Sequence, residues 1–273
     1  MKIKNAAKYP SFVWMAFTGL LLLAGTLVMS AQNLYVANWY SPGAVYQFTP
    51  GGTQTTYYSG GLGEPEGLAF DTQSTLFVAD SLNGNVYEIT PGGTKTTFAS
   101  GLGDVNALAF DRFGNLFVSG YATGDIYEFT PGGTQSTFAT GLVHPGGLAF
   151  DRQGNLFASD SSGNVYEYAP GGSRTTFASG LVTPSGLAFD RHGNLFAGFG
   201  GTGAGNGGIT EITPAGVTSL FASSLYSPNY LAFDNAGNLF LADGTSGLIE
   251  ITPGGTVTTV ATGLGNATGL AVH

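Results

Sequence analysis

Gly67-Leu68-Ala69-Phe70-Asp71 decides the fold, because it returns. Copies stand at Ala107-Leu108-Ala109-Phe110-Asp111, Gly147-Leu148-Ala149-Phe150-Asp151, Gly186-Leu187-Ala188-Phe189-Asp190 and Tyr230-Leu231-Ala232-Phe233-Asp234, with a partial copy at Gly269-Leu270-Ala271-Val272. The leucines are 40, 40, 39, 44 and 39 residues apart. A period of this size marks repeated units that bury their faces against one another. Outward from Leu108-Ala109-Phe110, Asp111–Asn115 reads as a turn, since Gly114 accepts positive φ and Asp111 can bond backbone N–H groups. Leu116-Phe117-Val118 reads as a second strand, Ile126–Thr130 as a third and Thr137-Phe138-Ala139 as a fourth. Pro131-Gly132 reads as the centre of a type II turn.

Four short strands in about 40 residues fit a β-propeller blade. Period-2 patterning and Gly or Pro in every unit exclude helical repeats. The second, third and fourth strand types each occur six times, the second beginning at Leu34-Tyr35-Val36-Ala37. The first strand occurs five times, plus 269–272. The expected fold is therefore an all-β, six-bladed propeller of four antiparallel strands per blade, with residues 269–272 completing the blade opened by 34–58.

Composition narrows the function classes. The 273 residues include 45 Gly, 42% hydrophobic residues and only 9% charged ones. The absence of Cys excludes disulfides, thiolate metal sites and a cysteine nucleophile. The net charge is -9, with no basic patch, so nucleic acid is not an expected partner. Lys2, Lys4 and Lys8 precede an apolar run, Phe12–Met29, followed by small Ser30 and Ala31. That order predicts a secretory signal over residues 1–31, or an uncleaved anchor, ahead of a propeller over 32–273. The expected location is secreted, periplasmic or cell-surface.

The repeat also separates scaffold from candidate site. Asp71, Asp111, Asp151, Asp190 and Asp234 end first strands, and Glu88, Glu128, Glu167, Glu211 and Glu250 share one place in the third strand. These ten read as turn and surface groups, as do Arg112, Arg152 and Arg191. Seven carboxylates break the period: Glu64, Glu66, Asp80, Asp104, Asp125, Asp160 and Asp243. Asp80, Asp160 and Asp243 end second strands, where they either cap the following loop or offer oxygens at the channel mouth. The residue just before each motif is Glu66, Asn106, Gly146, Ser185, Asn229 and Thr268 in turn. First strands should line the central channel, so this varying ring should stand at its mouth. Glu66, Asn106 and Asn229 form a candidate metal set, because their oxygens suit Ca²⁺ or another divalent cation. Asp80, Asp160, Asp243 and Ser185 are further channel-mouth candidates. The plainer alternative is that these groups serve loop backbone or channel water. The Gly-rich stretch 198–208 replaces a short loop on the same face, as a flexible loop or a lid. No Ser/His/Asp set is identifiable: His144 precedes Pro145, His192 lies in an opposite-face turn and His273 is terminal.

The unit Pro145–Asp160, Pro-Gly-Gly-Leu-Ala-Phe-Asp-Arg-Gln-Gly-Asn-Leu-Phe-Ala-Ser-Asp, resembles an NHL repeat, and the resemblance extends over nearly all of 33–273. It implies a propeller that binds ligands or protein partners. A sister group, the regucalcin/gluconolactonase family, holds a divalent metal at the channel mouth with a Glu, an Asn and an Asp. Glu66 matches that Glu by position. The Asn would fall at Ser185 and the Asp, the family's catalytic base, at Asn229, and neither matches. The expected function is an exported binding module for a small molecule or protein, without a catalytic residue. A metal-dependent lactonase-like hydrolase and an interaction module using its outer strands are the alternatives. The chain is expected to be a monomer that meets a membrane only through an uncleaved N-terminal segment.

Overall fold

The structure, a computed structural model, describes residues 32–40, 42–200, 205–244 and 246–273. The expected signal or anchor, 1–31, and residues 201–204 of the Gly-rich stretch lie outside them. Blade 1 opens with β1 (Leu34–Asn38), β2 (Gly43–Phe48) and β3 (Gln54–Leu62). Blade 2 is β4 (Pro65–Phe70), β5 (Leu76–Asp80), β6 (Asn85–Ile89) and β7 (Lys95–Ala99). Blade 3 is β8 (Val105–Phe110), β9 (Leu116–Gly120), β10 (Asp125–Phe129) and β11 (Gln135–Ala139). Blade 4 is β12 (Pro145–Phe150), β13 (Leu156–Asp160), β14 (Asn164–Tyr168) and β15 (Arg174–Ala178). Blade 5 is β16 (Pro184–Phe189), β17 (Leu195–Phe199), β18 (Gly207–Ile212) and β19 (Thr218–Leu225). Blade 6 is β20 (Pro228–Phe233), β21 (Leu239–Asp243), β22 (Gly247–Ile251) and β23 (Val257–Ala261).

The remaining strand, β24 (Ala267–Val272), pairs antiparallel with β1, placing Leu34 opposite Val272 and Val36 opposite Leu270. The sheet order β24-β1-β2-β3 completes blade 1 from both ends of the ring, as the strand count predicts.

The blades are joined by aromatic rings. In blades 1 to 5 the second-strand ring meets a ring of its own fourth strand and a ring of the next blade's first strand. Phe117, for example, stands edge-on to Phe138 at 5.0 Å and to Phe150 at 5.1 Å. Tyr35, Phe77, Phe157 and Phe196 do the same, each with two rings at 4.6–5.2 Å. Such edge-to-face pairs add about 0.5–1.5 kcal/mol beyond their buried area. At the seam between blades 6 and 1 the pattern changes, and Phe240 shares an apolar cluster with Val260 and Val272. Nearer the axis, first strands approach backbone to backbone. A Cβ on Gly186 would come within 2.3 Å of the Asn229 carbonyl, which is why small residues precede five of the six motif leucines.

Two local expectations need correcting. Positive φ falls on Gly133 (79°), not Gly132, so Pro131-Gly132 is the centre of a type I turn followed by a left-handed glycine. The register of a three-residue hairpin loop demands that bend. Glu250 is not a surface group. It is 3% exposed, and burial and then the Asp234 carboxylate push its pKa up. The five first-strand aspartates do cap their turns, although Asp234 is itself 6% exposed. Asp111 Oδ1, for instance, accepts the N–H groups of Phe113 and Asn115, both at 2.8 Å.

Candidate functional site

All six residues that precede the motifs meet at one mouth of the ring. Glu66, Asn106, Gly146, Ser185, Asn229 and Thr268 line a single cavity of about 480 Å³, a size suited to a small ligand or one inserted side chain. Two further tiers come from neighbouring positions. Asp104, His144, Thr183 and Asn266 stand two residues earlier in their linkers. Trp39, Tyr121 and Ser161 follow second strands. His144 stacks on Tyr121, with centroids 4.8 Å apart, and its Nδ1 lies 3.5 Å from Ser161 Oγ. His144 and Thr183 hold φ of 45° and 34°, in the region that glycine prefers. Strain of this kind on non-glycine residues concentrates at functional sites.

Tyr230 forms the floor. It occupies the place that Gly or Ala holds in the other motif copies, and it pairs with Ala242, a ladder step that blades 2–5 lack. Its ring crosses the axis from blade 6, and its hydroxyl donates to Asn106 Oδ1 of blade 3, directly opposite, at 2.5 Å. The phenol contacts apolar groups of blades 3 and 4 as well as those of its own side. Burial, followed by the Glu66 and Asp104 carboxylates, lifts its pKa well above 10, so it stays a donor.

The acids on the wall are both shifted upward by burial. Burial, and after it Asp104 and Glu64, raise the Glu66 pKa to about 7, against a hydrogen bond with Trp39. Partial burial also raises Asp104, opposed by His144.

The other expected candidates are placed differently. Asp80, Asp160 and Asp243 do not line the cavity, and all three are at most 1% exposed. Each clips the linker entering its own blade. Asp80 accepts Gly63 N–H at 2.7 Å, Asp160 accepts Val143 N–H at 2.8 Å, and Asp243 accepts Tyr226 N–H at 3.0 Å and Ser227 N–H at 2.6 Å. Asp160 also caps the following loop through Ser162 N–H at 2.7 Å. Ser185 lines the cavity, but its hydroxyl lies 3.0 Å from both the Gly198 and the Pro228 carbonyl and donates its one proton to one or the other.

The donors do not fit a divalent ion. Asn106 Oδ1 already accepts from Tyr230 and Asn229 Oδ1 from Ser227 Oγ at 2.9 Å, which leaves Glu66 as the one charged ligand of the three, short of the several free oxygens a hard cation requires. Among the described residues no group of three His, Cys, Asp or Glu side chains could hold a metal.

Tyr230, Tyr121, Trp39, His144 and Asn266 belong to the cavity although the motif ring does not point to them. Tyr230 had a signal, as the one large side chain before a motif leucine. The others break the repeat two residues earlier, or just after a second strand.

Fold and site together define a six-bladed propeller with one floored cavity. No protein-family model matches the chain, and no curated protein does. Solved structures share its fold. A chain from the crystal structure of a nidogen/laminin complex gives a TM-score of 0.76 at 19% identity, covering 88% of this chain and 97% of its own. A gluconolactonase from Xanthomonas campestris gives 0.67 at 20%, covering 75% and 78%. A streptogramin B lyase gives 0.65 at 13%, covering 89% and 88%. At these identities the likeness shows the fold alone.

Proposed function

We propose that this chain is an NHL-type binding propeller, exported by its N-terminal segment, that takes a small molecule or protein at its channel mouth without transforming it. One observation carries the reading. Side chains that depart from the repeat, drawn from three kinds of position around the ring, line one cavity at its mouth. The nidogen/laminin propeller is a precedent for this fold in a protein complex.

The gluconolactonase likeness supports a second reading, a metal-dependent lactonase with Glu66 as a ligand. The donor chemistry weighs against it. Asn229 stands where that family's carboxylate base would be, and an amide cannot take a proton as a carboxylate does.

The test is a thermal-shift screen of metabolites and peptides on wild type, Tyr121→Ala and Phe113→Ser. Ligands lost in Tyr121→Ala and kept in Phe113→Ser support the mouth as the site. Turnover of a lactone or ester panel, lost in Glu66→Ala, overturns the proposal.

A further inference from the structure

The mouth is surrounded by apolar side chains that the cavity does not use. Each blade exposes one large hydrophobic residue on this face: Tyr40, Leu82, Tyr121, Val143, Val182 and Tyr226, from 36% exposed at Tyr226 to 62% at Val182. The first three follow second strands, and the others stand in the linkers that enter blades 4, 5 and 6. Among the described residues the other exposed large hydrophobics, Phe113, Val217, Leu220 and Val257, belong to the opposite face or the outer strands. Only Tyr121 of the ring also lines the cavity, so a small molecule filling that cavity would leave the rest in water. Six exposed apolar side chains gathered on the face that carries the pocket suit an interaction surface.

The charges say what the partner must offer. Glu66 and Asp104 line the cavity, Glu64 lies beside them, and neither Lys nor Arg lines it. The described cations are elsewhere: Lys95 and Arg174 begin outer strands, and Arg112, Arg152 and Arg191 sit in opposite-face turns. The walls are aromatic, with Trp39 and the Tyr121–His144 stack, and the floor is Tyr230. Carboxylates beside aromatic walls suit a cationic head on an aliphatic stem. The stem packs on the rings and the head reaches the acids.

We propose that the mouth face docks a protein partner that inserts one lysine or arginine side chain into this cavity, while apolar residues flanking it cover the ring from Tyr40 to Tyr226. The proposal rests on the mouth being the binding site and names what binds there.

The test uses the full chain and a displayed library of nine-residue peptides, randomised at every position. Enriched peptides should carry a Lys or Arg with apolar neighbours. Their affinity should fall at least about tenfold in Glu66→Gln/Asp104→Asn and when the basic residue is replaced by Gln. It should also weaken in Val182→Ser, a rim change that leaves the cavity intact, and with rising salt. Peptides that bind the mouth through a neutral or acidic residue overturn this inference and leave the binding reading standing. Equal affinity for free butylammonium or arginine amide overturns the protein partner alone. Peptides that bind but ignore both mouth variants overturn the inference and the binding reading together.

Discussion

Leu270→Ala and Leu148→Ala, taken as a pair, test whether β24 is a true member of the ring. Both leucines hold the third place from the end of a first strand. They are 4% and 7% exposed, and each lies inside an apolar cluster shared by two neighbouring blades. Truncating a leucine so placed costs about 2–5 kcal/mol, the lost transfer energy plus the cavity left behind. For a domain of this size 1 kcal/mol shifts Tm by about 2–4 °C, so each variant should melt roughly 5–15 °C below wild type. If β24 closes the ring as firmly as β12 lines it, the two losses should agree within about 1 kcal/mol. Urea titration followed by circular dichroism, with the slope unchanged, gives the comparison. A loss at Leu270 under about a third of that at Leu148 would show that blade 1 opens before the ring unfolds, and would refute the closure argument.

Other outcomes follow from the cavity and its clips. An acid whose folded pKa is raised keeps its proton where the unfolded chain has lost it. Glu66 therefore stabilises below about pH 4.5, and that contribution, about 1–3 kcal/mol, is lost as pH rises to about 7. Glu66→Gln should flatten the fall in Tm between pH 5 and 8 and melt above wild type at pH 8; equal slopes would contradict the assignment. Tyr230→Phe removes the donor to Asn106 and should cost about 1 kcal/mol, or 2–4 °C. Asp243→Ala leaves the Tyr226 and Ser227 N–H groups without their acceptor and should cost about 3 kcal/mol or more, read by the same melts. Calorimetric titration of Ca²⁺ into the dialysed chain should give no saturable heat, and a signal lost in Glu66→Ala would reverse the conclusion on donors.

The fold was legible because a propeller writes its geometry at short range. Alternation, turn residues and a period near 40 are local patterns, and counting strand types exposes the shared blade. The inner ring of the site was legible for the same reason: Glu66, Asn106 and Asn229 hold one numbered place in a repeat whose curvature is known. The second-strand aspartates were legible only as caps of the following loop, because the linker contact of Asp80 depends on where the Gly63 amide lies, 17 residues earlier. The Tyr230–Asn106 bridge spans 124 residues and half the ring, so only the assembled circle brings the pair together. The buried state of Glu250 likewise depends on packing that its four exposed or half-buried counterparts do not share.

The closing strand also dictates when this ring can form. As the chain emerges, blades 2 to 6 can each assemble from consecutive strands. Among the described strands β1 is made first and its inner neighbour, β24, last. In the interval β1 presents a row of unpaired N–H and C=O groups, a template for pairing with any passing chain. Its native partner is separated from it by almost the whole propeller, so contact order is high and the loop-closure entropy must be met before the contact is gained. The final step is thus an end-to-end search that local propensity cannot hasten, and the growing chain is most exposed to misassembly just before its last strand is added.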